Sequence, residues 1–268
     1  MNKYNNRTQG LARRGEFLRR VAAAGTGLAL AGAAPLTALA ATGTEQTTAA
    51  GCGESVQTLI NTALIAEQLA TTFYYTGLTT RSIVGNRRVA GASANPNAVS
   101  ANGDPGNVAY LQAALDQEQK HARILANVGA VSPLTHFYFP ASTFETLGFT
   151  NHSNTYLWVL DHLETAFIGA YTAAARRFAE LGRIDLATVS LRILAVECQH
   201  RALYRVISAD DPADNVTLEV TQFGCLSDAA DALQPFITGK GFSGGVSPAV
   251  PIPTIDQLTR IIGKNTSS

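Results

Sequence analysis

Charge is scarce in this chain. Asp, Glu, Lys and Arg supply 15 % of its 268 residues, against 46 % hydrophobic ones. That balance argues against a disordered chain and against a nucleic-acid-binding one. Long apolar runs are missing as well: beyond the N-terminal region, no segment is long and apolar enough to span a bilayer. Cysteine is limited to Cys52, Cys198 and Cys225, and there are only five histidines. What remains is plentiful Ala, Leu and Gly, which suits a helical globular core, in a length that allows one large domain or two small ones.

The overall net charge of +0 conceals an uneven distribution. Residues 1–40 hold Lys3, Arg7, Arg13, Arg14, Arg19 and Arg20 against Glu16 alone. Setting those aside leaves 14 of the 20 basic and 19 of the 20 acidic residues, a net of −5. A mildly acidic remainder has no electrostatic reason to seek DNA or anionic lipid. The N-terminus itself reads as an export signal: a basic region to Arg20, a weakly apolar stretch Val21–Leu36, and the small-x-small pattern Ala38-Leu39-Ala40. Arg13-Arg14 followed by Phe17-Leu18 and Arg19 fits a twin-arginine signal with one extra residue in the spacing, and ordinary secretion is the alternative. Residues 41–54 then form a flexible leader, and the expected location is periplasmic or secreted. In such an oxidising compartment Cys52 and Cys225 could pair. Sequence alone does not bring them together, so the pairing stays open. Cys198 reads as a packed small hydrophobe.

The histidines carry the argument. Glu197-Cys198-Gln199-His200 lies in a helical run, and a Glu and a His three apart share one helix face. That face is otherwise apolar, with Ile193 and Tyr204 before and after. Burying a carboxylate among aliphatic groups costs several kcal/mol (order of magnitude) unless it is paired, protonated or metal-bound. A second motif, Glu118-Gln119-Lys120-His121, repeats the pattern on a face with Leu111, Ala114, Leu115, Ala122 and Leu125. Here Asp116, Gln117, Gln119 and Lys120 lie off that face and are expected in solvent. Two more helical runs each place one glutamate mid-stripe, Glu67 in 55–78 and Glu164 in 156–181. The order Glu, Glu-x-x-His, Glu, Glu-x-x-His, one element per helix, is the ligand set of a dinuclear metal site in a four-helix bundle.

The connections fit that architecture. Residues 81–107, rich in Gly, Ala, Asn, Ser and Pro, read as a long loop. Residues 130–154 contain Phe137, Tyr138, Phe139, Phe144 and Phe149, too aromatic for a free linker, and form a long crossover between the second and third helices. Gly182-Arg183-Ile184-Asp185 is a short turn, so the third and fourth helices are antiparallel neighbours. The bundle spans 55–208, and Asp210-Asp211-Pro212 ends its last helix. Residues 209–268 are an irregular C-terminal extension with short helical patches, coil over 241–253, and a last helix near 254–262.

With these residues in place, the chain resembles the ferritin-like superfamily, specifically its exported bacterial members, which are related to desiccation-related proteins. The resemblance implies an all-α ferritin-like four-helix bundle in which Glu67, Glu118 and His121 serve one metal and Glu164, Glu197 and His200 the other. At least one carboxylate would bridge. The long loop, the tail and the signal argue against a ferritin-type cage and leave a homodimer open. Oxygen-rich ligands with one imidazole per metal suit two iron or manganese ions, with O2, peroxide or Fe²⁺ as small substrates. The expected function is therefore ferroxidase or peroxide-consuming chemistry in metal handling or stress protection. A non-catalytic stress protein that keeps the site for stability is the alternative. Asp161, three residues before Glu164, is the candidate to orient a ligand imidazole, with a carboxylate in solvent as the other reading and Gln117 as the next partner to examine. Tyr74, Tyr171 and Tyr204 each follow a ligand glutamate by two turns; core packing with a bonded hydroxyl is the main expectation, electron relay the lesser one.

Overall fold

The computed structural model describes residues 52–90, 106–150, 152–209 and 222–263. The stretch expected to be an export signal, most of the expected leader and Asp210-Asp211-Pro212 lie outside the described residues. Four long helices make the body: α1 (Val56–Thr79), α4 (Val108–Asn127), α5 (Tyr156–Glu180) and α6 (Ile184–Ile207). Between α1 and α4, the part of the expected loop that is described contains two single-turn helices, α2 (Arg81–Val84) and α3 (Arg87–Ala90). Ile83, Val89 and Ala90 are buried there, so apolar burial orders a stretch whose composition signalled only loop.

Local chemistry sets the ends of the long helices. Ser55 caps α1 by accepting a hydrogen bond from the Thr58 backbone N–H at 3.2 Å. Gly182, at φ 72°, takes the left-handed conformation that closes α5, and the Arg183 N–H returns to the Phe178 carbonyl at 2.8 Å. The chain thereby reverses in a few residues, and α5 and α6 pack along their lengths. On α1, Gly77 is where a Cβ would overlap the ring of Tyr156, so its lack of a side chain lets α1 and α5 approach.

The crossover packs as its aromatics require. Phe137 and Phe139 are fully buried, and Phe139 meets Phe73 of α1 with ring centroids 5.5 Å apart. The C-terminal extension is more ordered than its composition suggested. Helix α7 (Leu226–Thr238) packs against α5 and α1, and α8 (Ile255–Ile262), capped by Thr254, packs against α4 and α1. The coil expected before α8 includes strand β2 (Val250–Pro251), which pairs antiparallel with β1 (His136–Phe137) of the crossover. Cys52 and Cys225 form a disulfide across 173 residues, with Cα atoms 5.5 Å apart. It ties the start of α1 to the start of α7.

The apolar interior falls into two bodies. One gathers Leu69, Phe73, Leu111, Leu115, Leu160 and Tyr204; the other gathers Leu59, Leu64, Leu125, Ala170, Phe178 and Ile193. On every bundle helix the changeover between them falls within about one turn of its glutamate.

Candidate metal centre

Each bundle helix delivers its polar residue into the same layer. Glu67, Glu118, Glu164 and Glu197 are at most 2 % exposed, and His121 and His200 are 7 % and 3 % exposed. Helical spacing explains the convergence: an apolar stripe buries one face, and whatever sits mid-stripe is carried inside with it. The structure brings together all six residues that the sequence singled out.

They form two overlapping groups. Glu67, Glu118, His121 and Glu197 offer ligand atoms all within 4.8 Å of one another, as do Glu118, Glu164, Glu197 and His200. Glu118 and Glu197 belong to both groups. The imidazoles enter through Nδ1. That of His121 lies 3.3 Å from Glu67 Oε2 and 3.4 Å from Glu197 Oε1. That of His200 lies 2.8 Å from Glu118 Oε1 and 3.4 Å from Glu197 Oε2. Thus Glu118 approaches the imidazole of the other Glu-x-x-His motif more closely than its own, at 2.8 Å against 3.7 Å.

The inward atoms are orphaned. Glu67 Oε2, both carboxylate oxygens of Glu118 and of Glu197, Glu164 Oε2, and the Nδ1 atoms of both histidines are buried without a hydrogen bond. An unsatisfied buried polar atom costs about 1–3 kcal/mol, more if charged. So dense a set of donors around one point is what a cation site requires. The donor set, carboxylates with one imidazole per position, fits a transition metal that accepts oxygen and nitrogen together.

The outward atoms are engaged. Tyr171 donates its hydroxyl to Glu67 Oε1, and Tyr74 donates to Glu164 Oε1 at 2.6 Å. The pattern is reciprocal, since Tyr74 follows Glu67 on α1 by seven residues and Tyr171 follows Glu164 on α5 by the same step. Burial, reinforced by the glutamates, pushes both phenols well above their ordinary pKa, so they act as neutral donors. The packing role with a bonded hydroxyl is what the structure displays.

Electrostatics follow the same geometry. Burial raises the pKa of Glu67 and Glu164 well above 4.5, reinforced by the neighbouring carboxylates. For His121 burial opposes the charge, but Glu118, Glu197 and Glu67 outweigh it and push it up to about 12. His200 is also raised, because Glu118, Glu197 and Glu164 outweigh its burial. Glu118 is buried too, yet the two imidazoles beside it hold its carboxyl well below the usual range.

Two expectations about the surroundings are corrected. Asp161 was expected to orient the imidazole of His121 or His200, and its partners are instead on α6. Its carboxylate accepts from the Tyr204 hydroxyl and lies 3.5 Å from Arg205 and 3.7 Å from Arg201, all on α6. The reason lies in its neighbours: position 161 is one turn along α5 from Glu164 on the same side, where Tyr204, Arg201 and Arg205 of α6 claim its carboxylate. The outward Nε2 of His200 meets Gln117 Oε1 instead, at 2.7 Å. Gln117 is therefore half-buried rather than solvated. Sequence reasoning also passed over Arg201 and Arg205, which are 5 % and 2 % exposed. Their i, i+4 spacing on α6 was visible, but nothing in the sequence paired it with Asp161.

The Cys52, Glu54 and Cys225 group also lies within ligand distance. The disulfide consumes both sulfurs, so that group is a staple and not a metal site. Among the described residues no helix is long and apolar enough to cross a membrane. No curated protein and no solved structure matches the chain. A family model described as the ferritin-like domain matches residues 55–209, the span that holds the four bundle helices and all six converging side chains; the chain belongs to the ferritin-like domain family.

Proposed function

We propose that Glu67, Glu118, His121, Glu164, Glu197 and His200 hold two iron or manganese ions and that the protein is an exported oxidoreductase reactive with O2 or peroxide. The observation that carries this reading is the ring of buried, unbonded carboxylate and imidazole atoms around one point. When bound, two such ions supply adjacent redox centres able to reduce dioxygen or peroxide and to oxidise Fe²⁺. The chain's residues set the conditions. Glu118 and Glu197 lie between the two positions, while Glu67 and Glu164 close the outer sides. Tyr171 and Tyr74 hold the far oxygens of those outer carboxylates and fix their orientation. Apolar bodies above and below exclude water from the layer. A role in metal handling or stress protection accords with the chain's resemblance to exported and desiccation-related members.

Export rests on the basic-then-apolar stretch of residues 1–40, and the Cys52–Cys225 disulfide supports it, since such bonds persist in oxidising compartments. The test is anaerobic loading with Fe²⁺ or Mn²⁺, metal analysis, then O2 or H2O2 followed by absorbance. Two ions per chain with turnover are expected. No uptake of either metal would overturn the reading.

A second reading is favoured by one observation: the polar layer is the joint between the two apolar bodies. On that reading the metals serve stability in a stress-associated protein. Uptake with a raised melting temperature but no turnover of Fe²⁺/O2 or peroxide would select it.

A further inference from the structure

The centre is built on an approximate internal repeat. Helices α1 and α5 each carry a glutamate followed seven residues later by a tyrosine, Glu67–Tyr74 and Glu164–Tyr171, and each tyrosine bonds the other helix's glutamate. Helices α4 and α6 each carry Glu-x-x-His. The repeat breaks one residue before those motifs. Gln117 precedes Glu118, and its side-chain oxygen lies 2.7 Å from Nε2 of His200. The matching position before Glu197 is Val196, whose side chain has no acceptor to offer His121.

We infer that Gln117 makes the two metal positions unequal, so that the one at His200 fills first and the one at His121 is the exchangeable one. This rests on the metal reading above. The chemistry is a matter of where the ring proton sits. Nδ1 of His200 faces the carboxylates, so Nε2 must carry the N–H, and Gln117 Oε1 accepts it. That hydrogen bond fixes the ring plane before a metal arrives and keeps the Nε2 proton in place, so that Nδ1 is the nitrogen left for the metal. Edge-on contact with Tyr74, ring centroids 5.8 Å apart, restricts the same ring further. His121 has no amide at the equivalent position and is the more exposed of the two, at 7 % against 3 %. Its ring has more freedom to lose on binding and a shorter way to solvent. Gln117 is thus a positioning residue for one half of the centre.

The test uses the full chain crystallised with one equivalent of Mn²⁺ and again with excess, with anomalous peak heights read at the two positions. Partners of this kind typically change metal affinity by about 10–100-fold. At one equivalent the peak at His200 should therefore exceed that at His121 by about tenfold or more. Gln117→Leu should bring the two peaks close to equal, while Gln117→Glu, which keeps an acceptor, should preserve the difference. Val196→Gln, which supplies the missing amide, should narrow the difference from the other side. Equal peaks in the wild type, or an unchanged ratio in Gln117→Leu, would overturn the inference alone. No peak at either position in excess Mn²⁺ would overturn the metal reading and this inference with it.

Discussion

Loading the centre with divalent metal should expel at least about two protons per chain at neutral pH, from His121 and His200, and up to about four where Glu67 and Glu164 also hold theirs. In the metal-free protein burial and neighbouring carboxylates disfavour the charged forms of Glu67 and Glu164. His121 and His200 stay protonated because the glutamates around them outweigh burial. Ligation requires carboxylate and neutral imidazole, so each gives up any proton it holds. Where all four groups give up a proton, four positive charges leave as two divalent ions enter, and the exchange is electroneutral. Between pH 6 and 8, affinity per ion should therefore rise by about tenfold per pH unit for the imidazole proton displaced, and more steeply wherever the glutamates still hold theirs. Calorimetric titration with Mn²⁺ in buffers of different ionisation enthalpy counts the protons directly. Release of fewer than about two, or proton uptake, would refute the protonation pattern argued from this geometry.

The same pattern fixes the sign of the stability profile. In the metal-free fold, Glu67 and Glu164 are raised above 4.5 and the histidines above 6.5. The folded state then binds more protons than the unfolded one, so stability falls as pH rises above about 5. Each group contributes a slope of about 1.4 kcal/mol per pH unit while it remains protonated only in the fold. The loaded protein has no protons on these ligands, so its stability rises with pH over the range where the unfolded histidines still bind theirs. Melting curves of the two forms from pH 5 to 8 should diverge.

Further consequences can be checked independently. Tyr74→Phe and Tyr171→Phe each remove a hydrogen bond to an outer carboxylate; bonds to charged groups contribute about 1.5–3 kcal/mol, so Mn²⁺ affinity should fall by roughly 10–100-fold. Tyr204→Phe, whose hydroxyl bonds Asp161, should leave affinity within about threefold, and an equal loss there would show a general packing effect. Replacing both Cys52 and Cys225 by serine releases a loop of 173 residues, which the chain-entropy model values at about 5 kcal/mol. The melting temperature should drop by roughly 10–20 °C, and a drop below about 3 °C would mean that packing alone holds the C-terminal extension.

How much of this could be read from residues alone depends on whether the signal was periodic or relational. Glu67, Glu118, Glu164 and Glu197 were legible because a charge inside an apolar stripe is anomalous within its own helix, and four anomalies in the order of one ligand set constrain each other. The helices bearing them were legible for the same reason, and their ends were marked by Ser55 and Gly182. Other features depended on which way a helix turns about its axis, which a single stripe leaves loose. Asp161 and Gln117 both border the ligand face, and the sequence could not decide between them. In the fold the two arginines on α6 claim Asp161, and Gln117 reaches the imidazole. Within residues 222–263 the last helix near 254–262 was legible, but the strand and the packing before it were hidden for a third reason. The Gly- and Pro-rich stretch there has no periodicity of its own and takes its form from β1 and from the tether at Cys52. The interior of the centre thus follows from pattern within each helix, whereas its inequality follows from contacts between helices. That inequality is where the chain departs from its own internal repeat, and it distinguishes the two positions that the ligand motifs alone would make alike.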